Sequence, residues 1–229
     1  MIISHQFKLI FIKTKKVGGT SFEIALSRFL DDDDIITPIS EDDEILRGDL
    51  GYKQAKNYEQ NNRLGYGIKN HPNEFISGDF KHHISADNIY KQIGSNLFNG
   101  YTKISIHRNP LDLMVSHYFW RNRNCNENTR SPFNKWVKSH LKYASANYRI
   151  APVTGPYSID HIIRYESLQE DILNVAELPA GFSETFNSIR AKANTRPCES
   201  RDPGKYFCDN NARELIEVVL NAANNHQGV

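Results

Sequence analysis

The chain has 229 residues, 28 Lys and Arg against 27 Asp and Glu, and a formal net charge of +1. That near-neutrality argues against a general nucleic-acid binder or membrane-surface binder, both of which rely on an excess of positive charge. Three cysteines without a CxxC pair (Cys125, Cys198 and Cys208) exclude a disulfide framework or a zinc cluster and fit a reducing, cytoplasmic compartment.

Along the chain, residues 7–13 (FKLIFIK) read as a buried strand, followed by lysines, Val17 and the Gly18-Gly19 pair. Thr20 or Ser21 is then the expected N-cap of a helix running to about Leu30, with Phe22, Ala25, Leu26 and Phe29 on one face. Residues 31–75 are polar and rich in Asn, Asp and Gly, and read as a surface insertion with some helix between Asp42 and Glu59. A helix is expected over 85–93, a second strand over 101–107, and a helix opened by Pro110, which suits a first turn. Further expected elements are a helix over 133–143, a third strand over 159–165, a helix over 167–175 and a closing helix over 210–223. No stretch approaches the ~18 apolar residues of a membrane-spanning helix, and no secretory signal opens the chain. Alternating strands and helices predict one α/β domain over 1–229: a three-layer α/β/α arrangement around a mainly parallel sheet.

Two loops carry the chemistry. In residues 15–21 (KKVGGTS), between the first strand and its helix, the glycines let several backbone N–H groups point at one spot. Thr20 and Ser21 add hydroxyls there, and Lys16 can reach an oxygen that gains negative charge. The segment is not a triphosphatase loop, because its lysine precedes the glycines instead of following them. It resembles the 5′-phosphosulfate loop of sulfotransferases that use 3′-phosphoadenosine-5′-phosphosulfate (PAPS), commonly Pro-Lys-Thr-Gly-Gly-Thr-Ser. Lys15 stands for the proline and Val17 for the threonine, while Lys16, Gly18, Gly19, Thr20 and Ser21 agree. The resemblance implies a P-loop-like fold, and it implies that Lys16 stabilises the departing adenosine bisphosphate.

Residues 104–118 (ISIHRNPLDLMVSHY) are similar to the 3′-phosphate site of the same family, an apolar strand, Arg-Asn/Asp-Pro, and a helix with Ser eight residues after the Arg; Arg108 and Ser116 keep that interval. Arg108 would offer a rigid fork of donors to a phosphate dianion. Residues 164–168 (RYESL) are similar to a structural segment of the family, and 194–210 to the part that covers the nucleotide, making Arg201 and Lys205 candidate contacts.

The acceptor must lose a proton, a task suited to a neutral histidine or a carboxylate. Residues 80–86 (FKHHISA) align with a Lys-His-x-Ser/Thr-Ala segment of carbohydrate-type relatives, which implies His83 as general base with His82 as the second candidate. His107 and His117 read as structural, and residues 120–130 with Trp136 as a possible acceptor groove or a plain polar loop. No metal is required in principle. The expected activity is sulfuryl transfer to a hydroxyl of a carbohydrate acceptor. A small alcohol, phenol or peptide tyrosine is the alternative within the class, and a P-loop kinase or a non-catalytic nucleotide-binding module the alternative outside it.

Overall fold

The computed structural model describes residues 1–58, 66–68, 71–76, 79–126, 129–189, 191, 202–207 and 212–224. Two short apolar runs open it as an antiparallel hairpin, β1 (Ile2–Ser4) and β2 (Leu9–Ile12), with Ile3 opposite Ile10. Then follow α1 (Gly19–Ser27), β3 (Ile35–Ile36), α2 (Glu41–Asp49), the separate hairpin β4 (Tyr66–Ile68) and β5 (His71–Ile76), and α3 (Ala86–Gly100). The second half contains β6 (Thr102–His107), α4 (Pro110–Arg121), α5 (Phe133–Ser139), α6 (Ala146–Ile150), β7 (His161–Arg164), α7 (Leu168–Leu173), α8 (Phe182–Ser188) and α9 (Ala212–Asn224).

The main sheet has the order β3-β1-β2-β6-β7. β2, β6 and β7 run parallel, whereas β1 is antiparallel to both β2 and β3. The sheet is therefore mixed. The expectation of a mainly parallel sheet holds for its centre and fails at the β3 edge, because the first residues fold back as a hairpin. The segment 31–75 is likewise more than a surface insertion, since it supplies β3, whose two isoleucines are fully buried.

Strand alternation gives the sheet two apolar faces. Leu9, Phe11, Ile104, Ile106 and Ile163 pack with Phe22 and Leu26 of α1 and Phe182 of α8. Ile3, Ile10, Ile12 and Ile35 pack on the other face against Ala86, Ile89, Ile93 and Leu97 of α3. Helices thus cover both faces. Phe22 is the keystone of the first layer: it is fully buried, with its ring 4.2 Å from Phe11 and 4.6 Å from Phe182. Burial of such a side chain contributes on the order of 1.5–3 kcal/mol. A third cluster joins α4, α5 and α9 through Tyr118, Trp136, Leu215 and Val219.

Because β2 and β6 are parallel neighbours, with Ile12 opposite Ser105, their carboxyl ends lie side by side. The chain leaving β2 and the chain leaving β6 are therefore forced together at one edge of the sheet, where ligands bind in open α/β architectures. Among the described residues, no helix is long and apolar enough to cross a membrane.

Candidate functional site

Residues beyond β2 leave the ladder, so their backbone groups need other partners. The Lys13 carbonyl accepts from His83 Nδ1 at 2.9 Å, and the Thr14 hydroxyl donates to the Ile106 carbonyl. Lys15 is held at both its backbone groups by the side chain of Asn147. Lys16 takes a left-handed conformation (φ 61°), and its carbonyl accepts from Arg108 Nη1 at 2.6 Å. A left-handed conformation costs a non-glycine residue roughly 1–2 kcal/mol, so the geometry persists because its neighbours impose it.

Gly18 follows at φ 74° and is the residue from which α1 springs; no described side chain caps the helix. Thr20 and Ser21 are therefore not the N-cap, as the sequence pattern predicts, but lie inside the first turn. A left-handed glycine turns the chain straight into the helix and leaves both hydroxyls on the wall of the cavity. Gly19 is needed for a different reason. A Cβ there would lie 3.0 Å from Lys13 Cγ, and the Lys13 side chain runs past it to a buried ion pair with Glu23.

Arg108 is buried at the end of β6, its Nε donating to Asp112 Oδ2 at 2.6 Å and its guanidinium 4.0 Å from the Tyr165 ring centre. Two of its five donors are thus spent on Asp112 and the Lys16 carbonyl, which orients the fork against the loop. The Asn109 side chain caps α4 by accepting from the Leu111 N–H, and Pro110 opens the helix as expected. Ser116 then falls on the face of α4 that looks into the same space.

That space is a cavity of about 1470 Å³. Lys15, Lys16, Gly18, Gly19, Thr20, Ser21, His82, His83, Arg108 and Ser116 all line it, although they come from three separated parts of the chain. His117, Trp120 and Tyr143 form an aromatic wall, with Lys16 Nζ 5.2 Å from the Trp120 ring centre. Tyr165, just beyond β7, and Phe186 and Ile189 at the end of α8 also line the cavity. Trp136 is buried in the helical cluster and is not part of the wall. Lys205 sits exposed in a short turn of helix (Pro203–Tyr206) and does not line the cavity; Arg201 lies outside the described residues. The sequence reading missed Asn147. Its partner is 132 residues away, and no local pattern around it signals that contact.

His82 is exposed and His83 half-buried, their ring centres 4.6 Å apart. A carbonyl oxygen can only accept, so the bond to Lys13 places the proton of the neutral His83 ring on Nδ1 and the lone pair on Nε2. Burial pushes His83 down to about 3; the Lys13 carbonyl opposes this, while His82 and the Lys13 cation reinforce it. Burial also lowers His107 and His117 to about 4, helped at His117 by Lys16. The unfolded chain protonates such rings near pH 6.5, the native chain only at much lower pH, so stability falls as pH drops from about 6.5 toward 4. Each ring kept neutral adds a slope of about 1.4 kcal/mol per pH unit. The urea midpoint is expected to fall clearly between pH 7.5 and pH 5, and a midpoint that stays put would contradict three rings held neutral by the fold.

No family model matches the chain, and no solved structure matches it. It is similar to an uncharacterized protein of Archaeoglobus fulgidus, 34% identical over 92 residues, which is 38% of this chain and 74% of that protein. The two belong to one family, a relationship that assigns no activity.

Proposed function

We propose that this protein is a cytoplasmic PAPS-dependent sulfotransferase with a P-loop-like, three-layer fold, acting on a hydroxyl acceptor of the carbohydrate class. What supports the reading is a convergence. Residues 15–21 and the pair Arg108 and Ser116, each similar to a different half of the family's nucleotide site, line one cavity together with His83. The parallel pairing of β2 and β6 brings the first two segments together, and the bond from His83 to the Lys13 carbonyl brings the third.

In this reading PAPS supplies an activated sulfuryl group on a phosphate leaving group. The turn of α1 offers backbone N–H groups with the hydroxyls of Thr20 and Ser21 to the 5′ side, and Arg108 and Ser116 receive the 3′-phosphate. The acceptor oxygen attacks sulfur, the bond from sulfur to the bridging oxygen breaks, and the acceptor proton passes to His83 Nε2. Lys16 neutralises the charge that develops on the bridging oxygen. Sulfuryl carries less charge than phosphoryl, so these groups suffice without a metal. The carbohydrate class rests on the resemblance around His83.

The test is calorimetric titration with adenosine 3′,5′-bisphosphate beside ATP with magnesium. Tight binding of the bisphosphate and weak binding of ATP is the expected result. Preference for ATP with magnesium would favour a kinase, and binding of neither would leave a module without a nucleotide.

A further inference from the structure

Lys15 lies beyond the last ladder pair of β2, at Ile12, yet both its backbone groups are satisfied as if a strand ran alongside. Asn147 Oδ1 accepts from the Lys15 N–H at 2.8 Å, and Asn147 Nδ2 donates to the Lys15 carbonyl at 3.1 Å. Asn147 is 1% exposed on α6, where solvent does not compete for its amide. The next residue is Lys16, in its left-handed conformation, with its carbonyl held by Arg108. The two peptides that flank Lys16 are therefore both held, the one before it by Asn147 and the one after it by Arg108.

We propose that Asn147 is a positioning residue: it holds Lys16 in the left-handed geometry that aims its ammonium group into the cavity. The inference rests on the sulfotransferase reading of the loop and goes beyond it, since Asn147 lies in none of the segments that resemble the family. An asparagine suits the task because one planar amide presents an acceptor and a donor at the spacing of a backbone edge. Without it, Lys16 relaxes to the right-handed region that L-residues favour, and its side chain leaves the site.

The experiment uses Asn147→Ala and the near-isosteric Asn147→Asp, which keeps an acceptor for the Lys15 N–H and loses the donor. Asp preserves the packing shape, so its loss of function cannot come from a void. Amide exchange of the 13–19 backbone is expected to quicken roughly tenfold in both variants, the scale of losing one or two hydrogen bonds, while exchange in β6 stays unchanged. Turnover is expected to fall in each single variant, but Asn147→Ala is expected to add nothing in a Lys16→Ala background. A merely structural residue would instead multiply the two losses. Unchanged exchange over 13–19, or losses that multiply, overturns the proposal while leaving the sulfotransferase reading intact if the wild type binds adenosine 3′,5′-bisphosphate. Failure of the wild type to bind the bisphosphate overturns that reading, and this inference with it.

Discussion

Lys16→Ala is expected to lower turnover by about 10²–10³-fold, the scale of removing one preorganised charge-stabilising donor, while changing affinity for adenosine 3′,5′-bisphosphate far less. The split follows from where the charge appears. In the ground state the bridging oxygen carries little charge, so an ammonium group aimed at it adds little to binding. As the sulfuryl group departs, that oxygen gains negative charge, and the ammonium group is rewarded only then. The protein keeps Lys16 in a conformation that costs it energy and steadies its side chain over the Trp120 ring. A cation–π contact of that kind is worth about 0.5–1 kcal/mol, so the variant should fold with nearly unchanged stability. Single-turnover kinetics beside calorimetry check the split. A variant that turns over normally would remove Lys16 from the mechanism, and one that loses turnover and bisphosphate affinity equally would make it a nucleotide ligand instead.

Much of the site was legible because its chemistry is local. A glycine pair after an apolar run, an Arg-Asn-Pro after another, and an i, i+8 serine are readable without knowing the fold, and β2, α1, β6 and α4 lie where the patterns put them. What escaped was either short or remote. β1 and β3 have three and two residues, too few for a period to register, and so the antiparallel edge of the sheet went unseen. The N-cap went to Gly18 because backbone conformation, not a hydroxyl, starts α1. Asn147 and Asp112 were invisible as site residues, since their roles depend on where the loop and the Arg108 fork end up in space. Arg108 itself was read as a phosphate ligand alone; the fold also makes it a clamp on the Lys16 carbonyl, so the two nucleotide segments are mechanically joined.

That junction extends to His83, which grips the same loop one residue beyond β2. His83→Ala is expected to lower turnover by about 10²–10⁴-fold, the usual contribution of a positioned base, with bisphosphate affinity retained. With its proton fixed on Nδ1 by the Lys13 carbonyl, the ring presents an Nε2 lone pair at every pH where it is neutral. That range begins at about pH 3, because burial and the cations of His82 and Lys13 disfavour protonation. Such a ring is a weak base, and an anionic nucleotide bound to the adjoining loop would raise its proton affinity by Coulomb attraction. The acid limb of the turnover profile should therefore lie above pH 3, shift with the charge of the bound nucleotide, and vanish in His83→Ala. His82→Ala should leave the limb in place with at most a small shift, since its ring only repels a proton on His83. A limb that survives in His83→Ala but disappears in His82→Ala would transfer the role of base to the exposed ring. Its survival in both would move the proton acceptor off this histidine pair, leaving His83 as a fastener of the loop through Lys13.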